Sequence, residues 1–230
     1  MIQKVLQNWY REIVEDKYTL ALTIVLLCGG TYWGSKELYK RYATHVGGKA
    51  QIVVAEAVEE YDKALYNYFE KDGGQELALQ QFEDVQIAFD TILKQHGSSS
   101  LVPYALSLKA DTFALKGDFK DALSVLDTAI SKMSSSTPGY YLLKIKRSLI
   151  QLDAGQSDLG LESLRALAFD DSNPTFDTAA FFLGYYYWTQ QNKDKAREAW
   201  KLLESTENKT VPSASSPWLH IAQEKLQNIS

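Results

Sequence analysis

A single cysteine, Cys28, among 230 residues excludes an intrachain disulfide framework and a thiolate zinc site. The rest of the chain is cysteine-free, which fits an oxidising compartment. Histidine is nearly as scarce. His45, His96 and His220 lie far apart, at segment ends or on a terminal helix, and none has a second ligand at metal-binding spacing. Positive charge is not in excess either: 24 Lys and Arg against 29 Asp and Glu give a net charge of -5, with no basic stripe to neutralise nucleic-acid phosphates. Proline and glycine are sparse inside the periodic segments, and alternating β-branched runs are missing, so the chain reads as all-α. No G-x-S-x-G, phosphate-binding glycine loop or paired-acid arrangement occurs. Glu59-Glu60 and Asp170-Asp171 read as solvated charges at helix faces or termini. These absences argue against an enzyme, and nothing calls for a cofactor or metal.

What the chain does have is a recurring helical hairpin. In residues 110–130, Ala110, Phe113 and Ala114 recur at helical spacing before Gly117, and Ala122, Leu126 and Ala129 after it. Small residues let two antiparallel helices approach while Phe113 and Leu126 fill the seam. Gly117 supplies a left-handed helix end, and Asp118 is placed to cap the next helix. Ala122, Leu126 and Ala129 align with Ala78, Phe82 and Val85, with Gly160, Leu164 and Leu167, and with Ala196, Trp200 and Leu203. Gly117 falls over Gly73, Gly155 and Gln191. One hairpin cannot bury its own apolar face, so units of this kind stack. The pattern resembles the tetratricopeptide repeat, whose 34-residue period the spacing of about 36 to 44 approaches once loop insertions are allowed. Gly184, Tyr187 and the KDKAREAW helix carry the resemblance in the last unit. Gly160 and Lys144 depart from it in the unit before. A generic helical bundle is the alternative that small-residue spacing leaves open.

Residues 1–17 place Val5, Trp9, Ile13 and Val14 on one side and read as a short amphipathic segment. Residues 18–34 are uncharged over 17 positions, enough for about 25 Å of helix. Tyr18 at one end and Tyr32 with Trp33 at the other match interfacial aromatic belts. Residues 18–42 are therefore expected to be a transmembrane helix with a juxtamembrane extension. A buried core helix is one alternative and a signal peptide cleaved near Cys28-Gly29-Gly30 another. A lipoprotein site is disfavoured by Leu27 before Cys28. Basic residues nearly balance across the run, so charge alone does not orient it.

The expected fold is an all-α solenoid over residues 49–230, with hairpins at about 49–95, 103–133, 139–169 and 175–205 and a capping helix at 217–229 that starts from Ser216 and Pro217. Asn208-Lys209-Thr210 is a glycosylation sequon only where the host pathway exists. In the tetratricopeptide family the first helix of each hairpin lines a concave groove for peptides or partner helices. Carried over residue by residue, the groove positions are Tyr104, then Leu142, Ile145, Leu149 and Leu152, then Phe181, Tyr185 and Trp188. This surface is apolar and aromatic and lacks a Lys and Arg clamp for a carboxyl terminus, which points to exposed hydrophobic segments as ligands.

One family combines these parts. A short leading segment, one span, repeats and a closing helix, with WGSKELYKRY after the span, KDKAREAW and the ending EKLQNIS, resemble the YfgM-like ancillary subunits of the SecYEG translocon. That resemblance implies an inner-membrane anchor, periplasmic repeats, contact with SecYEG, association with the chaperone PpiD, and the holding of unfolded or emerging chains. The insertion at residues 97–102 and the aromatic run 181–188 depart from it. An envelope-assembly or secretion-apparatus protein, or a cytosol-facing tethered receptor, are the readings from other classes.

Overall fold

The computed structural model describes residues 48–69, 74–204 and 216–227. The amphipathic segment, the apolar run and its extension, the Asp72-Gly73 turn and the sequon all lie outside the described residues. The chain divides into two compact units, Met1–Ile52 and Val53–Ser230. Of the first unit, residues 48–52 are described and are helical. Among the described residues no helix is long and apolar enough to cross a membrane.

The second unit is all-α throughout its described residues. Helix α1 (residues 48–69) enters it and is followed by α2 (Gln75–His96), α3 (Val102–Leu115), α4 (Phe119–Ser131), α5 (Pro138–Asp153), α6 (Ser157–Ala168), α7 (Phe176–Thr189), α8 (Lys193–Glu204) and α9 (Pro217–Gln227). From α2 onward each helix packs on the next in sequence, and α9 also packs on α7. The core is accordingly a succession of clusters. Phe82, Val85, Phe89 and Ile92 of α2 meet Ala57, Tyr61 and Ala64 of α1. Leu126 and Ala129 of α4 meet Leu106 and Ala110 of α3 with Leu143 and Ile150 of α5. The third cluster gathers α5 to α9 around Leu164, Phe181 and Trp200. Stability built from such neighbour-to-neighbour interfaces is the physics of a solenoid.

The hairpins turn where the repeat alignment places them. Gly117 (φ 84°), Gly155 (φ 76°) and Gln191 (φ 57°) are all left-handed. In each turn the next amide reaches back across the helix end, Asp118 N to Phe113 O at 2.9 Å, Gln156 N to Gln151 O at 2.8 Å and Asn192 N to Tyr187 O at 2.9 Å. This closes orphan carbonyls in the manner of a Schellman end. Gln191 adopts without glycine a backbone state that costs an L-residue about 1 kcal/mol. Asp118 does not cap α4 as expected: its side chain makes no capping bond, and its main-chain oxygen instead accepts from Asp121 N and Ala122 N. Ser216 does accept, from Trp218 N at 3.3 Å. Pro138 begins α5, where its missing donor is free of cost in a first turn.

The small residues set how closely the helices approach. A Cβ on Gly184 would collide with Trp200 Nε1, so the indole fills the space the glycine leaves and donates to Phe181 O at 3.0 Å. The connection into α7 is held by Asn173, 2% exposed. Its amide donates to Leu167 O at 2.8 Å, and its carbonyl oxygen accepts from Thr175 N and Thr175 Oγ1, each at 2.9 Å.

Candidate protein-binding face

The first helices of the hairpins are α1, α3, α5 and α7, and the eight expected groove residues sit on the last three. The structure does not bring the eight together as one open surface. Tyr104 and Leu142 are each 46% exposed. Tyr104 lies against the start of α5, its hydroxyl 3.1 Å from where a Cβ on Gly139 would be, and Leu142 follows one turn later. Ile145, 2% exposed, and Phe181, 5% exposed, are core residues. They are not available to a partner while the chain packs this way, which corrects their assignment to an open groove. Leu149 and Leu152 are half-buried against the same core. Leu152 leans toward α6, with Cδ2 2.7 Å from the point a Cβ on Gly160 would take, so the missing side chain of Gly160 turns a groove position into a seam position.

Tyr185, 38% exposed, and half-buried Trp188 stand beside the chain's own terminal helix. Their rings stack on each other at 5.7 Å, and Lys225 of α9 places its ammonium 5.1 Å from the Tyr185 centroid and 4.2 Å from that of Trp188. A cation over these ring faces is held by the aromatic quadrupole. Phe181 is covered by Trp218, the two rings stacked at 4.6 Å.

Sequence reasoning missed the polar tie across α1, α3 and α5. Asp111 of α3 accepts from Lys146 Nζ of α5 at 2.8 Å and from Tyr61 Oη of α1 at 3.4 Å. Lys146 also donates to Ser107 Oγ, one turn before Asp111, at 2.8 Å. Burial of Tyr61, then the charge of Asp111 and its hydrogen bond, and then the charge of Asp62, push the phenol pKa well above its usual range. Lys146 is thus neutralised within the chain instead of standing as a clamp for a ligand carboxylate. No repeat position announces this tie, because Asp111 and Lys146 belong to different repeat registers and meet only when hairpins stack.

The insertion at residues 97–102 forms one wall of a cleft of about 530 Å³, with Tyr104, Met133 and Thr137 among its other lining residues. Tyr104 and Leu142, together with Tyr185 at 38% exposure, are therefore the part of the expected groove left open, and Tyr104 lines this cleft.

The fold and this face define a tetratricopeptide-like α-solenoid of the kind that serves protein–protein interaction. Comparison with known proteins agrees at that level. Residues 145–203, from within α5 to the end of α8, match the tetratricopeptide repeat family model. A crystal structure of a single-substitution variant of a putative kinesin light chain with nearly identical TPR-like repeats from Podosopora anserina is similar at 16% identity and a TM-score of 0.50, over 75% of this chain and 84% of that one. A companion crystal structure of the same Podosopora protein gives 0.49 at the same identity and coverage. A tetratricopeptide repeat protein from Parabacteroides merdae gives 0.44 at 16% identity, over 74% of this chain and 59% of that one. At such identity the first likeness is one of fold. No curated protein sequence matches the chain.

Proposed function

We propose that this chain is a non-enzymatic interaction scaffold anchored in the bacterial inner membrane by residues 18–34, with its repeats in the periplasm. It stands beside the SecYEG translocon as an ancillary subunit, and there it recruits a PpiD-like chaperone or holds newly translocated chains. The observation that carries the reading is the exposed pair Tyr104 and Leu142 on first helices of stacked hairpins, downstream of an uncharged 17-residue run. A solenoid presents such side chains to extended or helical segments of other proteins. Confinement to the bilayer raises the effective concentration of neighbours, so weak contacts suffice.

The test is in-cell photocrosslinking from residue 104 or 142, with identification of the captured chain, and protease protection in spheroplasts. Capture of SecY or a membrane-bound chaperone, with the repeats cleaved only once the outer membrane is opened, is the expected result. A freely soluble mature chain beginning after Gly30, or capture of outer-membrane assembly components in place of the translocon, overturns it.

A further inference from the structure

Helix α9 packs on part of the face that the repeat pattern assigns to ligand, covering Phe181 while Tyr185 stays 38% exposed. Trp218 stacks on Phe181 at 4.6 Å with an interplanar angle of 21°, and its indole donates to Thr178 Oγ1 at 3.0 Å. Two turns on, Lys225 stands over Trp188 and Tyr185. A separation of seven residues returns to the same helix face, so Trp218, Ala222 and Lys225 form one stripe, with Leu219 and Leu226 half-buried at its edges. Among the described side chains of α9 only Ala222 is buried, and His220, Ile221, Gln223 and Glu224 face solvent. A helix of 11 residues is marginal in water by itself, so α9 stands on this stripe and belongs to the least stable part of the solenoid. The surface beneath is built by other elements: Phe181 also stacks on Trp200 at 6.2 Å, and the Trp200 indole is bonded to Phe181 O. It therefore keeps its shape when α9 departs.

We propose that the inner face of α7 is a helix-docking surface kept in reserve by α9, and that its partner is an amphipathic helix of another protein with an aromatic residue and, seven positions later, a lysine or arginine. The partner's aromatic ring takes the place of Trp218 on Phe181, and its cation takes the place of Lys225 over Tyr185 and Trp188. This rests on the scaffold reading and adds to it the chemistry of the ligand and the chain's own competitor for the site.

The experiment uses the full chain in detergent and a fluorescein-labelled synthetic peptide of residues 214–230 as probe, read by fluorescence anisotropy. Trp218→Ala removes the stack and Lys225→Glu sets a carboxylate over the ring faces, so both variants loosen α9. Each is expected to bind the probe at least tenfold more tightly than the wild-type chain. A probe carrying Lys225→Glu is expected to bind at least tenfold more weakly than the native one. Hydrogen exchange of α7 amides rises in the variants and falls again on probe addition. Equal affinity of all three chains for the probe overturns the proposal. Because Lys225→Glu changes a side chain at the rim, it preserves the test if Trp218→Ala does not fold. A wild-type dimer in light scattering that Lys225→Glu converts to monomer would seat a second copy's α9 on this face and overturn the assignment to another protein. No translocon component enters the assay, so failure here leaves the translocon cross-link standing, and loss of that cross-link leaves probe exchange standing.

Discussion

Gly160→Ala separates reasoning from the repeat pattern and reasoning from the packed structure by the sign of its effect. The aligned positions in the other units are Ala78, Ala122 and Ala196, so the pattern alone makes alanine the better residue, by about 1 kcal/mol of helix propensity. The packed chain says the reverse. A Cβ at 160 would stand 2.8 Å from Ser148 O, 2.7 Å from Leu152 Cδ2 and 2.8 Å from Leu152 Cγ. Leu152 can rotate, but the carbonyl belongs to the middle of α5, so α5 and α6 must move apart. Overpacking of this kind costs about 1 to 3 kcal/mol. Taking about 3 because a backbone atom is involved, the net loss is about 2 kcal/mol. For a unit of this size that lowers Tm by about 4 to 8 °C. Far-UV circular dichroism melts of the two chains measure it. Adding Leu152→Ala to Gly160→Ala should cost about 1 kcal/mol less than the sum of the two single changes, because the contact they share is already relieved. A melting temperature unchanged or raised by Gly160→Ala would refute the close approach of α5 and α6.

Three further outcomes follow from individual side chains. The folded state holds the Tyr61 proton to higher pH than the unfolded chain does, so its stabilisation is complete below about pH 10 and is lost as pH rises beyond that, by up to about 1.4 kcal/mol per unit. Urea midpoints from pH 9 to 11.5 should fall more steeply in the wild type than in Tyr61→Phe, and parallel curves would contradict a phenol kept protonated by burial and by the Asp111 charge. Asn173→Ala removes a buried amide that serves Leu167 O and Thr175 and should cost about 2 to 3 kcal/mol in urea denaturation, whereas an exposed loop residue would cost under about 0.5. Gln151 is 4% exposed with Oε1 buried and unpartnered, so Gln151→Met should raise stability by about 1 kcal/mol. A lower urea midpoint in that variant would show that the oxygen is satisfied after all.

Much of the frame was readable because helical hairpins announce themselves locally. The small and large residues at 122, 126 and 129 and their counterparts lie on one face of one helix, and a left-handed end needs only its own few residues, so the turns at Gly117, Gly155 and Gln191 fall where the alignment sets them. The capping of α4 by Asp118 was misread for the same local reason: the residue type suits a cap, but the side chain of this one makes no such bond. The binding face was read less well. Register placed Tyr104, Leu142 and Tyr185 on first helices, yet Ile145 and Phe181, assigned by the same rule, are buried, since register says which side of a helix a residue takes and not what is packed there.

The amino-acid sequence by itself determined the all-α class, the hairpin period, the turn positions and the start of α9, each being a matter of near-neighbour spacing along one chain. Only the tertiary structure decided that α9 covers Phe181 with Trp218, that Lys225 stands over Trp188, that Leu152 fills the gap at Gly160, and that Asp111 joins Tyr61 to Lys146. Those contacts link residues 8 to 50 positions apart. Their free energy comes from how separate helices fit together, a quantity that no periodicity within a single helix contains.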